Sequence, residues 1–148
     1  MNKLNWHNIP VPEGHMILLV VGIALHLWRP LPLFQATWPA HLFGWPLLLL
    51  GILLAAWAVA AVNKLDTRKP TTIILSGPFA FSRNPMYFAW TLIFIAIALL
   101  ISTWWLIIFL PILILFTHYF VILQEERQLE EQFGEPYLQY CARVKRYL

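Results

Sequence analysis

Pro85–Leu123 reads PMYFAWTLIFIAIALLISTWWLIIFLPILILFTHYFVIL, with no Asp, Glu, Lys or Arg. As one straight helix it would measure roughly 58 Å at 1.5 Å per residue, about twice the hydrocarbon thickness of a bilayer. The run must therefore fold back on itself. Ser102-Thr103 followed by Trp104-Trp105 marks the turn, with the tryptophans at headgroup level. The expected product is a tight hairpin whose two ends are short polar islands. One is Ser82-Arg83-Asn84-Pro85-Met86-Tyr87 and the other is Gln124-Glu125-Glu126-Arg127. Charges next to hydrocarbon are either interfacial anchors or parts of a site, because burying them costs kilocalories.

Composition agrees with a membrane protein. Of 148 residues, 60% are hydrophobic and 11% charged, against about 25% charged in soluble domains. Met16–Trp28 is a short first apolar run and Leu42–Val62 an uncharged second one, with Pro46 near its start. The segment before Met16 lacks a basic start and a small-residue cleavage site, so the first run is expected to be retained. Asn63–Ser82 is a polar connector containing a Gly77-Pro78 turn signal. After Gln124, Leu129 and Phe133 share a helical face. Gly134 then stops that helix and Pro136 opens another carrying Tyr137, Tyr140 and Val144. The predicted fold is all-α, a polytopic membrane protein with about four transmembrane helices, the last two a hairpin, plus amphipathic helices along the surface. One domain is expected over 1–148, with a cofactor-binding half at about 63–148.

Lys64, Arg68, Lys69 and Arg83 lie in the connector, only Arg29 follows the first run, and the hairpin turn has no Lys or Arg. The positive-inside rule then puts both termini and both islands on the cytoplasmic side of an inner, cytoplasmic membrane. The net charge of +3 comes without a basic-aromatic surface motif, so nucleic acid is not an expected partner. The single cysteine, Cys141, excludes an intrachain disulfide and a cysteine-based metal motif. No metal ligand set is assigned. There is no internal repeat or low-complexity tract.

Two readings attach to each island. Asn84 is well placed to cap the helix opened by Pro85. Arg83 either snorkels to lipid phosphate or joins the free amides in binding an anion. Glu125-Glu126, at the end of the partner helix, would face the unfavourable end of its dipole at about 0.3–1 kcal/mol, so a ligand cation or hydroxyl explains them better. Otherwise they begin a solvated helix. His118, inside the last apolar run, is a packing residue or faces substrate.

Ser76-Gly77-Pro78-Phe79, Ser82-Arg83-Asn84-Pro85-Met86-Tyr87, Glu125-Glu126 and Phe133-Gly134-Glu135-Pro136-Tyr137-Leu138-Gln139-Tyr140 with Arg143 resemble, in order and spacing, the isoprenylcysteine carboxyl methyltransferase family. That family is related to the phospholipid methyltransferases. The resemblance spans about 63–148. It implies an S-adenosylmethionine-dependent membrane methyltransferase, with S-adenosylhomocysteine as product and a lipophilic small molecule or lipid arriving from the bilayer. It carries cofactor contacts onto Thr71, Thr72, Ile73, Ile74 and Phe79, then Arg83, Asn84, Pro85, Met86 and Tyr87, and onto Glu125 with Glu126. Arg143 and His118 are the candidates for acceptor contact, and no catalytic acid or base is assigned. Asn84 stands where histidine is commoner, and Ala89 where glycine often occurs. Val121 occupies the place of the arginine that grips a prenylcysteine carboxylate. The acceptor is accordingly open between an isoprenylcysteine-type carboxylate and a phospholipid amine. An NADPH-dependent sterol-type reductase and a non-catalytic protein of the same fold are the alternatives from other classes.

Overall fold

The computed structural model describes residues 12–62 and 72–147. Thr71 and the charged part of the connector lie outside the described residues. Among those described the architecture is helical, with no strand beyond a single isolated bridge between Pro32 and Thr103. Helix α1 is Glu13–Trp28, α2 Thr37–Val62, α3 Pro85–Leu100, α4 Trp104–Phe116, α5 Leu123–Phe133 and α6 Glu135–Arg143. A 3-10 turn at Gly77–Ala80 precedes α3.

Three sequence expectations change. Helix α2 starts at Thr37 rather than Leu42, because Thr37-Trp38-Pro39 can open a helix with proline in its first turn. Pro46 is therefore inside α2, where it removes one backbone hydrogen bond. The apolar run also does not end its helix at Leu123. A π-helical turn, Thr117–Ile122, joins α4 to α5, so Trp104–Phe133 is one continuous 30-residue helix. Glu125 and Glu126 thus sit in its interior, and the dipole argument for them falls away.

Two helices are long and apolar enough to cross a membrane, Thr37–Val62 and Trp104–Phe133. Helices α1 and α3 are also apolar but have 16 residues each, about 24 Å at the helical rise. Phe94, Ala98, Leu106 and Leu113 form the buried centre where α3 meets α4, with Leu18 and Leu19 of α1 against it.

The link between α3 and α4 is only Ile101-Ser102-Thr103. Ser102 adopts φ 51°, which non-glycine residues take up only when contacts hold them there. Its hydroxyl accepts a hydrogen bond from Phe34 N–H at 2.8 Å, and its own N–H donates to Leu99 C=O at 2.9 Å. Thr103 caps α4 by accepting from Trp105 N–H at 3.3 Å.

Helix α2 packs most extensively against α3. At their crossing, Gly51 faces Ala89, which is fully buried. A Cβ on Gly51 would lie 2.7 Å from Ile93 Cγ1, 3.1 Å from Ala89 O and 3.2 Å from Ile93 N. Two of these neighbours are backbone and cannot turn aside. Gly51→Leu should therefore destabilise the protein by about 1–3 kcal/mol, the usual cost of overpacking. Thermal unfolding in detergent measures this, and an unchanged midpoint would show that the helices separate freely there.

Candidate functional site

The two polar islands meet. Tyr87, in the first turn of α3, donates its hydroxyl to Glu125 Oε1 at 2.7 Å. Tyr87 is 8% exposed. Residues far apart in sequence are thereby joined at the end of the α3–α4 pair opposite the Ser102 turn.

Beside this contact lies a cavity of about 450 Å³, within the usual range of about 300–1,000 Å³ for small-molecule sites. Thr72, Ile73, Ile74 and Phe79 form one wall, and Arg83 and Asn84 another. Glu125, Glu126, Leu129 and Phe133 come from α5, and Tyr137 and Tyr140 from α6. The chain can turn from α5 to α6 this sharply because Gly134 adopts φ 57° with ψ −129°, a conformation that excludes most side chains. Tyr140 then donates to Phe79 C=O at 2.7 Å, which ties α6 to the 3-10 turn. Burial pushes the Tyr140 phenol up to about 12 and raises Tyr137 as well, so both are neutral hydrogen-bonding groups at physiological pH.

The acidic pair divides its work. Glu126 accepts from Arg146 Nε at 3.0 and 3.1 Å and from Arg146 Nη2 at 2.8 Å, while Arg83 Nη1 lies 3.3 Å away. One carboxylate is thus compensated by two guanidiniums. Hydrogen bonding to Glu126 also raises Arg146 above its ordinary value, so this partner stays charged. Among the described residues Glu125 meets the neutral phenol of Tyr87, which leaves it as the carboxylate better able to take a cationic or hydroxyl ligand. Among the described residues the buried Nε of Arg83 has no hydrogen-bond partner, an uncommon state for a donor.

The sequence-derived residues distribute as follows. Thr72, Ile73, Ile74, Phe79, Arg83, Asn84, Glu125 and Glu126 line the cavity. Pro85, Met86 and Tyr87 are buried but outside its lining. Asn84 occupies the cap position of α3 without capping it. Its Nδ2 donates to Arg146 C=O at 3.2 Å, so the amide is oriented by the segment after α6. Arg83, with its side chain 13% exposed, does not snorkel. Arg143 is exposed and outside the cavity lining. His118 also lies outside it, with Nδ1 2.6 Å from Tyr147 Oη.

Sequence reasoning did not assign Val62, Gln128, Leu129, Gln132, Phe133, Tyr137 or Tyr140 to the cavity lining. Gln128, Leu129 and Gln132 follow Glu125 at helical spacings of three, four and seven, a signal that was available. The Arg146–Glu126 pairing is a tertiary contact with no such local signature.

A family model described as phospholipid methyltransferase matches residues 39–136, well over half of the chain, including both islands and most of the cavity lining. No curated protein and no solved structure matches. The chain belongs to the phospholipid methyltransferase family.

Proposed function

We propose that this protein is an S-adenosylmethionine-dependent membrane methyltransferase that acts on a lipid amine. The observation that carries the reading is the Tyr87–Glu125 contact at the edge of a part-polar, part-apolar cavity. Its donor set fits the cofactor. Glu125 suits an ammonium or ribose hydroxyl, and the unpartnered Arg83 Nε suits a carboxylate. Ile73, Ile74, Leu129, Phe133 and the two tyrosines offer apolar and aromatic surface for a purine.

When bound, the cofactor supplies a methyl group on a positively charged sulfur. The protein's part is to orient the two reactants and keep the pocket poor in water; alignment alone is worth several kilocalories in a displacement of this kind. A lipid acceptor is consistent with α2 and the Trp104–Phe133 helix as membrane spans. In the arrangement we propose, α1 and α3 cross as well, giving four spans with α3–α4 as the hairpin. The cavity then opens at the cytoplasmic face of the inner membrane, with both termini on that side, and 1–148 forms one domain.

An amine is favoured over a carboxylate because Arg146, beside the cavity, is engaged by Glu126, and Arg83, in its wall, is shared between Glu126 and the cofactor carboxylate. Val121 carries no charge at the position where the resemblance puts a carboxylate-gripping arginine. With radiolabelled S-adenosylmethionine, the label should appear on phosphatidylethanolamine in vesicles. It should not appear as a base-labile ester on N-acetyl-S-farnesylcysteine. Ester formation without amine labelling would reverse the assignment.

Cofactor binding is tested separately by calorimetry with S-adenosylhomocysteine. Glu125→Ala and Tyr87→Phe should each weaken it by about 1–3 kcal/mol, the scale of a lost buried polar contact. Unchanged affinity in both variants would remove Glu125 from the cofactor site. A response to NADPH, with none to S-adenosylhomocysteine, would favour the reductase alternative.

A further inference from the structure

Beyond α6 the chain does not leave the molecule. Val144–Tyr147 crosses the seam between the start of α3 and the Trp104–Phe133 helix. On the α3 side, Arg83 N–H donates to Lys145 C=O at 3.0 Å. Arg146 C=O accepts from Ser82 Oγ at 3.4 Å and from Asn84 Nδ2 at 3.2 Å. On the other side, the Arg146 side chain grips Glu126 and Tyr147 meets His118. These four residues lie outside the stretch matched by the family model.

The placement of the strap is specific. Neither Arg146 nor Tyr147 lines the cavity; both hold groups on its rim or beside it. Two turns before Glu125, His118 belongs to the π-helical turn, a distortion often found at functional positions. The neighbouring Tyr119 and Phe120 are 59% and 66% exposed, so this flank has the apolar surface expected to face lipid. Away from the strap the α3–α4 seam is closed by Phe94, Ala98, Leu106 and Leu113, which leave no polar passage. At the strap it is spanned by polar contacts of partly exposed side chains, with Arg146 at 35% and Tyr147 at 39%. Contacts of partly exposed side chains release more readily than a closed apolar core.

We propose that Val144–Tyr147 is a releasable strap over the bilayer-side entrance to the cavity, latched by Arg146 on Glu126 and by Tyr147 on His118. A lipid acceptor enters when the strap lifts. Arg146 is then a positioning residue, acting through Glu126 and Arg83. This inference rests on the lipid-methyltransferase reading for what passes through the entrance, but not for whether the entrance exists.

The test uses the full chain in phosphatidylcholine vesicles doped with a phospholipid bearing a diazirine near its headgroup. Photolabel on residues 117–126 is mapped by mass spectrometry for the native chain, Tyr147→Phe and Arg146→Ala. Each variant removes one latch. Labelling should rise about five-fold, the change in open population expected from losing about one net hydrogen bond. For Tyr147→Phe, S-adenosylhomocysteine affinity should stay within about two-fold and the unfolding midpoint should be nearly unchanged, because this side chain meets His118 outside the cavity. Unchanged labelling in both variants, or a rise in Tyr147→Phe accompanied by an equal loss of cofactor affinity, would overturn the strap. If the native chain bound no S-adenosylhomocysteine, the lipid-methyltransferase reading would fail while the labelling still decided the entrance.

Discussion

A phenol and a carboxylate 38 positions apart in the chain share one short hydrogen bond, Tyr87 to Glu125 at 2.7 Å. The site follows from it. For the bond to form, α3 and α4 must run side by side from the Ser102 turn. Neither helix can slide by a turn without separating the pair. The bond lies where burial is already high, so an unpartnered Glu125 there would carry a desolvation penalty of about 1–3 kcal/mol or more. Packing at Phe94, Ala98, Leu106 and Leu113 brings the helices together, and the Tyr87–Glu125 contact selects their register.

The second organising feature is the asymmetry between adjacent glutamates. Successive helical residues point about 100° apart, so Glu125 and Glu126 meet different surroundings although they are neighbours. Glu126 turns to the arginines and joins α5 to the strap and to the segment just before α3. Glu125 turns to Tyr87 and the cavity. A structural ion pair and a cavity-lining carboxylate bonded to a phenol are thus obtained from one dipeptide. Their separation also leaves Arg83 and Arg146 engaged by Glu126, which is the ground on which an amine acceptor is proposed.

Much of this was legible in the residues. Hydropathy and charge located the apolar run that α3 and α4 occupy, and its length led to the expectation that the two islands meet, as Tyr87 and Glu125 do. Gly134 and Pro136 correctly separated α5 from α6, since both act through their own backbone. What escaped the sequence depends on tertiary partners. The π-helical turn at Thr117–Ile122 has no local residue signature and carries the helix past Leu123, so the glutamates are interior rather than terminal. Asn84 has the right residue type and position for a cap, but its amide donates to the strap. Arg143 and Arg146 are both basic residues near one end of the chain. Only their three-dimensional placement shows that Arg146 reaches the acidic pair whereas Arg143 remains exposed.

The most direct measurement is an experimental structure of the full chain with S-adenosylhomocysteine. The account requires the ligand between the Thr72–Ile74 wall and Glu125, its amino-acid end toward Arg83 and its sulfur toward the flank crossed by Val144–Tyr147. Ligand bound away from the Tyr87–Glu125 contact, or those two residues separated in the complex, would contradict it.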